Sequence, residues 1–214
     1  MNVRLVDSVG YLIPNATGYF DDNGPKLVKT PWFDDPIPFK DAAEIGTKKI
    51  MTNHSTIGVV ITSDGSFGEF SRSDYQTVED QIITEMLELK KPFVIVVNST
   101  NPEGEEALNL KKELEEKYNV STLATNVLKM EDEDIDKILL AALNEFEINE
   151  LNLMLPSYIS VLNDDNPIKA NIMNELSEAS KDYKKFKDVD KIKNALVDSQ
   201  IFTDVKMDLV DAGS

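Results

Sequence analysis

The sequence predicts an α/β fold in which a parallel sheet is flanked by helices. Two apolar runs, at 56–62 and 92–98, have the near-continuous hydrophobic pattern of strands buried on both faces, and a third strand is predicted at 120–125. Segments with apolar residues at helical spacing separate these runs along the chain. Alternating strands and helices are joined by right-handed crossovers, and such crossovers arrange the strands in parallel.

The elements are predicted in the following order. Residues 3–6 form a short buried strand, and the proline- and glycine-rich residues 14–38 form a long irregular loop. Four helices then alternate with the three apolar strands, at 40–53, 75–90, 103–118 and 133–146. In the second of these helices, the inner stripe is expected to contain Val78, Ile82, Met86 and Leu89. Residues 151–155 are interpreted as a last strand.

The pattern changes after Pro156. Residues 168–198 are predicted to be helical with one apolar face, and residues 202–210 to be a short alternating strand. We therefore interpret 1–155 as one domain and 156–214 as the beginning of a second, mostly helical α+β domain that we expect the end of the chain to interrupt.

Composition excludes several classes of function. The 214 residues carry a net charge of −17, which repels phosphate backbones, so we expect no nucleic-acid binding. No apolar stretch approaches the ~20 residues of a membrane span. Without cysteine there are no disulfides or thiolate metal sites, which suits a cytosolic protein, and a single histidine argues against a histidine-rich metal site.

Asp7 and Gly10 have the spacing of a nucleotide-hydrolase motif. Asp7 ends the predicted strand at 3–6, and Gly10 follows three residues later. In GTPase-like hydrolases such an Asp holds the magnesium shell, often through water, and the Gly offers its N–H to the terminal phosphate. The alternative, which residue type alone favours, is that Asp7 is an ordinary cap or turn residue.

Asn98 ends the predicted strand at 92–98, where GTPases carry the base-reading Asn-Lys-x-Asp. Here the sequence is Asn98-Ser99-Thr100-Asn101, without the Lys or the Asp. This difference argues against guanine specificity and leaves adenine open. The alternative is that Asn98 caps the next helix. The residues alone therefore indicate an α/β domain like those with a phosphate-binding loop, in which a nucleotide function is possible.

Long loop motifs carry a more specific resemblance. Within residues 2–64, the runs "VRLVDSVGYLIPNATGYFDDNGP", "TPWFDDPIPFKDAAEIGTKK" and "HSTIGVVITSDGSFG" together resemble the stage IV sporulation protein A family of spore-coat morphogenetic ATPases. The resemblance continues through "SRSDY", "KPFVIVVNS", "LKKELEEKYNV" and "LPSYISVL", and it thins after about residue 163.

This resemblance implies a P-loop GTPase-like (TRAFAC-type) fold that has lost guanine specificity and uses Mg²⁺ and ATP. It implies that hydrolysis drives self-assembly into the basement layer of the spore coat. The implied location is the mother-cell cytoplasm, at the surface of the outer forespore membrane. The implied partners are a small amphipathic forespore membrane peptide and other spore coat proteins.

The resemblance also assigns roles to individual residues. Asp7 matches the magnesium-side Asp and Gly10 its following Gly, while Asn98 and Ser99 match the degenerate base-recognition turn. These four are the predicted nucleotide-binding residues, and Asp7 is also the predicted metal-binding residue. The family's phosphate loop, of the Gly-x-x-x-x-Gly-Lys-Ser/Thr kind, has no counterpart in the sequence.

We therefore expect the fold to lack its first strand and helix, the catalytic set to be incomplete, and the chain alone to bind no MgATP. In this interpretation 1–155 is a partial ATPase domain. An alternative from another class is a non-catalytic scaffold module in spore coat assembly, which pairs through an exposed sheet edge or through 156–214. A third interpretation places the upstream half of a switch domain on another chain.

Overall fold

The computed structural model of the protein describes residues 3–14, 16–21, 24–181, 183–199, 201–202 and 204–206. Contacts divide the chain into two compact units, Met1–Ala142 and Leu143–Ser214. The boundary that the sequence pattern predicts after residue 155 lies further along the chain. In the part of the chain that the structure describes, no helix combines the length and the apolar character that crossing a bilayer requires.

The amino-terminal segment is not a strand. Residues 3–13 have no regular secondary structure, and the apolar side chains of Val3, Leu5 and Val6 are exposed. The strand predicted at 3–6 is therefore wrong. An apolar segment forms a strand only where a neighbouring strand pairs with its backbone. None of the described strands pairs with residues 3–6.

Two antiparallel ribbons occupy the region predicted to be an irregular loop. Strand β1 (Phe20–Asp21) pairs with β2 (Gly24–Pro25), and β3 (Leu27–Thr30) pairs with β4 (Phe33–Pro38). The irregular-loop prediction is therefore wrong for these residues. A two-stranded ribbon tolerates prolines because each strand has an outer edge whose N–H groups need no partner strand.

Helix α1 (Phe39–Lys49) confirms the helix predicted at 40–53 and continues into a π-helical turn at Ile50–His54. A helix end leaves carbonyl groups without partners. Lys91 donates to the carbonyl oxygens of Met51 and Thr52 in this turn and of Ser55 just after it, each at 2.7 Å. The side chain of Lys91 therefore caps this end of the helix.

Strands and helices alternate after this turn. The elements are β5 (Gly58–Ser63), α2 (Arg72–Glu88), β6 (Phe93–Asn98), α3 (Glu105–Tyr118), β7 (Thr122–Thr125) and α4 (Asp132–Asn144). The three strands form one sheet in the order β5-β6-β7, and both pairings are parallel. The predicted α/β fold, with a parallel sheet and flanking helices, is confirmed.

The two faces of this sheet are covered unequally. One face packs on α2 and α3 through a cluster that includes Ile83, Ile95 and Leu114. On the other face, Ala142 of α4 packs with Val94 and Val96 of the central strand. On β5, however, Val59 and Ile61 are 44% and 60% exposed. The prediction that this strand is buried on both faces is wrong, because no described element covers its second face.

The second unit is a small helical cluster. It contains α5 (Ser157–Ser160), α6 (Pro167–Lys181) and α7 (Val189–Asp198). Five buried side chains form its core: Ile159, Ile172, Leu176, Ile192 and Leu196. Residues 151–155 form no strand, so that prediction is wrong. The strand predicted at 202–210 lies partly outside the described residues, and residues 202 and 204–206 are not in a strand.

The region predicted to be helical at 168–198 forms two helices, α6 and α7. The chain between α6 and α7 bonds instead to residues that precede α5. Ile148 N–H donates to the Lys184 carbonyl at 2.7 Å, and Phe186 N–H donates to the Phe146 carbonyl at 3.0 Å. A backbone that makes these long-range bonds cannot also make helical bonds, so the helix is interrupted there.

Candidate functional site

The carboxyl ends of the three parallel strands lie side by side. Ser63 of β5 is in register with Asn98 of β6, and Asn98 is in register with Thr125 of β7. Ligands of open α/β sheets bind at this edge. The loops that leave these strands are therefore the candidate site.

Asn98 and Ser99 connect the central strand to its neighbour at this edge. The Asn98 side-chain oxygen accepts from Val127 N–H at 3.0 Å. Ser99 is buried, and its N–H donates to the Thr125 carbonyl at 2.9 Å. The alternative that Asn98 caps the next helix is wrong, because the residue at the cap of α3 is Gly104. The turn predicted to read a base is thus held rigidly.

A second link joins the loop after β5 to the same turn. The Asp64 carboxylate accepts from Ser66 N–H at 2.9 Å and from the Ser66 hydroxyl at 2.5 Å. It also accepts from the Ser99 hydroxyl, while Thr100 N–H donates to Ser66 Oγ at 2.9 Å. Burial raises the pKa of Asp64, but the bonds donated by Ser66 and Ser99 outweigh it and hold that pKa below its usual range.

Gly65 allows this turn to form. Its φ is +85°, which disfavours any residue with a side chain. A Cβ at this position would lie 2.6 Å from the backbone nitrogen of Arg72. Glycine therefore lets the loop after β5 pass closely over the start of α2.

Arg72 and Glu79 form a buried ion pair beneath this loop. The guanidinium donates twice to the carboxylate, at 2.8 and 2.6 Å, and the Glu79 side chain is 3% exposed. Arg72 also approaches the Thr62 hydroxyl at 3.4 Å, so the pair reaches the end of β5. Sequence reasoning missed this pair. The available signal was the seven-residue spacing, which places both residues on one face of a helix.

Asp7 and Gly10 occupy a different place. Asp7 is exposed, and Gly10 N–H donates to the Thr47 hydroxyl of α1 at 3.1 Å. The next residue, Tyr11, donates to the Glu85 carboxylate, and burial followed by this bond raises the pKa of Tyr11 above its usual range. Glu85 lies about 20 Å further along α2 than Arg72, the residue that approaches the end of β5.

The structure therefore brings Asn98 and Ser99 together but does not gather them with Asp7 and Gly10. No group of three or more acidic or histidine side chains among the described residues is arranged to hold a metal ion. Because the Gly10 amide is bonded to Thr47 in this arrangement, the described residues do not fit a complete MgATP site. The nucleotide-binding roles of the four residues stay predictions.

The Asp64 link has a testable dependence on pH. The pKa of Asp64 is lower in the folded chain than in the unfolded chain, so its stabilisation is present above the unfolded value of about 4 and is lost as pH falls further. We expect Asp64→Asn to lose less stability than the wild type between about pH 5 and pH 3. Urea unfolding followed by Trp32 fluorescence measures this. Asp35→Asn, at an exposed position of β4, is the control, and equal behaviour of the two variants would contradict the prediction.

Comparisons with known proteins agree with the loop motifs. Residues 1–147 match the family model described as stage IV sporulation protein A, ATPase domain, and residues 148–214 match the model of its middle domain. The chain is similar to stage IV sporulation protein A of Bacillus subtilis strain 168, with 45% identity over 90% of the chain, and of Bacillus anthracis, with 42% identity over 90%. The protein of that name from Clostridioides difficile strain 630 is 38% identical over 100% of the chain.

The chain covers 39% of the length of each Bacillus relative and 43% of the Clostridioides relative. No solved structure matches it. Two family models that together span residues 1–214, and relatives at 38–45% identity, confirm the resemblance read from the sequence. The chain therefore belongs to the stage IV sporulation protein A family.

Proposed function

We propose that this chain is a segment of a spore-coat morphogenetic ATPase, whose hydrolysis of ATP drives polymerisation into the basement layer of the spore coat. The observation that carries this proposal is the match of residues 1–147 to the family's ATPase domain. The proposed location is the mother-cell side of the outer forespore membrane. The proposed partners are further copies of the protein, a small amphipathic membrane peptide and other coat proteins.

In this proposal Asp7 holds the magnesium ion through water, and the Gly10 N–H donates to the terminal phosphate. Asn98 and Ser99 belong to the turn that contacts the base. The magnesium ion would neutralise charge on the phosphates. Most of the grip on phosphates in such folds comes from the backbone N–H groups and the lysine of a phosphate loop. Residues 1–214 contain no such loop sequence, so we propose that they do not hold MgATP by themselves.

Two measurements test the proposal. Isothermal titration of the 214-residue chain with MgATP should show no binding in the micromolar range. Micromolar binding would contradict the proposal that this chain by itself does not hold MgATP. The second measurement uses the Clostridioides relative, whose similarity covers this whole chain. Replacing its matching region with residues 1–214 creates a chimera in which hydrolysis and sedimentable polymer can both be followed.

In this chimera we expect Asp7→Asn to lower ATP hydrolysis by about tenfold to a hundredfold, because it weakens the hold on the metal's water shell. Polymer should fall with hydrolysis. Asp35→Asn is the matched control, since it removes the same charge from an exposed strand position. Unchanged hydrolysis in Asp7→Asn would remove Asp7 from the site, and polymer that forms equally without ATP would contradict the proposed function.

One observation favours a second function, a non-catalytic scaffold module in coat assembly. Val59 and Ile61 are exposed on β5, which is an edge strand of the described sheet. An edge strand with exposed apolar side chains is a template for pairing with another chain. Light scattering tests this function, and a monomer at high protein concentration would contradict it.

A further inference from the structure

A groove lined by both polar and apolar side chains runs between α3 and α4 at the carboxyl end of β7. Its volume is about 400 Å³, which is within the size range of small-molecule sites. Leu108, Leu123 and Ile138 line it, one each from α3, β7 and α4. Since β7 is an edge strand of the described sheet, no further strand of the described residues fills this side.

Lysine side chains line the same groove, although the chain as a whole carries a net charge of −17. They are Lys111, Lys129 and Lys137. Two carboxylates, Glu103 and Asp134, also line it, so the ammonium groups outnumber the acids. The lining residues by themselves therefore carry one more positive than negative charge, beside the acidic first turn of α4.

The lysines are not equally neutralised. Lys137 pairs with Asp134 at 3.4 Å, and Asp134 also accepts from Glu131 N–H at 3.2 Å. Lys111 and Lys129 form no ion pair among the described residues, and Lys111 is half-buried. Lys129 is exposed, so the ammonium groups of both lysines can attract an anion that enters the groove.

The walls that carry these two lysines are regular and well bonded. Lys111 lies in the middle of α3. Lys129 ends a 3₁₀ turn, where its N–H donates to the Asn126 carbonyl at 2.9 Å and Leu128 N–H donates to the Asn126 side chain at 3.2 Å. The groove is therefore largely preformed, which reduces the entropy that binding would cost.

We propose that this groove binds an organic phosphate, a phosphate group carried on an apolar body. The phosphate contacts the ammonium groups of Lys111 and Lys129, because lysine binds phosphate as a compact point charge. The apolar body covers Leu108, Leu123 and Ile138. This inference does not depend on ATP hydrolysis, because its residues are not the four predicted nucleotide-binding residues.

The test uses the 214-residue chain and two probes, inorganic phosphate and phenyl phosphate, without added metal. Amide NMR signals of Thr125, Asn126 and Lys129 report occupation of the groove. We expect both probes to shift these signals saturably in the millimolar range. Phenyl phosphate should bind at least about threefold more tightly, because its ring can cover the apolar side chains of the lining. The double variant Lys111→Gln/Lys129→Gln should bind phenyl phosphate about threefold to tenfold more weakly than the wild type.

The control variant is Lys40→Gln/Lys112→Gln, which changes the net charge equally at exposed positions outside the groove. It should bind phenyl phosphate as the wild type does. Equal weakening in both variants would show only general charge attraction and would overturn the proposal. Equal affinity for the two probes would also overturn it. If the lysines only shield the β7 edge from other chains, the wild type shows no saturable shift and the groove variant self-associates.

Discussion

Replacing Glu79 with alanine is expected to lower the free energy of unfolding of the first unit by about 3 kcal/mol or more. The Glu79 carboxylate is almost fully buried, and it accepts both hydrogen bonds of the Arg72 fork. Among the described residues, the hydrogen bonds that remain to the guanidinium are long, at 3.4 Å to the Thr62 hydroxyl and 3.5 Å to the Ser63 carbonyl. A mostly buried charge that loses its partner costs far more than an exposed ion pair contributes.

Urea unfolding followed by the fluorescence of Trp32, the only tryptophan, measures this prediction. The matched control is Glu44→Ala, which removes a partly exposed pair with Lys40 at 3.9 Å and should cost less than about 0.5 kcal/mol. The double variant Arg72→Met/Glu79→Leu should recover most of the lost stability, since it leaves no buried charge. A cost for Glu79→Ala no larger than that of Glu44→Ala would contradict the prediction.

In the second unit, Glu145→Ala is expected to cost about 3 kcal/mol. The Glu145 side chain is 1% exposed and pairs with Lys185 at 2.6 Å and with Lys187 at 2.8 Å. Without the carboxylate, the ammonium groups of Lys185 and Lys187, whose side chains are mostly buried, lose the counter-ion that they share and repel each other. The same lysines lie in the chain between α6 and α7, so the loss should loosen the turn that separates these helices.

Hydrogen exchange of amides in α6 and α7 measures this effect, because the fluorescence of Trp32 reports on the first unit. Glu178→Ala is the control, since its pair with Lys181 at 3.6 Å is exposed at both partners. We expect amide exchange in α6 and α7 to be faster in Glu145→Ala than in the wild type, and almost unchanged in the control variant. Unchanged exchange protection in Glu145→Ala would show that this buried ion pair does not stabilise the unit.

The regular elements of the first unit follow closely from hydrophobic periodicity. Strands β5, β6 and β7 and helices α1 to α4 all occur where the pattern predicts them. In α2, Met86 is buried as expected and Ile82 and Leu89 pack against the core. Glu79 and Ile83, which were not predicted, are buried as well. Residue type alone does not predict a buried glutamate, because its burial depends on its ion pair with Arg72, which lies seven residues earlier in the helix.

The sequence likewise predicts only part of the candidate site. Asn98 and Ser99 lie at the carboxyl edge of the sheet, where strand order alone predicts them. Their bonds to Val127 and Thr125, and the link through Asp64 and Ser66, join segments that are distant in sequence. The bond from Gly10 to Thr47 is of the same kind. No local pattern encodes such contacts, because each depends on how separate loops meet.

The sequence by itself determined the family, because long loop motifs are specific. It also determined the parallel α/β class and the central strand, because a short, almost continuously apolar run is typical of a strand buried on both faces. Only the tertiary structure decided that residues 3–6 do not pair with the described strands, that one face of β5 stays open, and that α6 and α7 are separate helices. The physical reason is common to all three. A backbone or an apolar face is satisfied by its neighbours, and the neighbours are set by the fold and not by the segment itself.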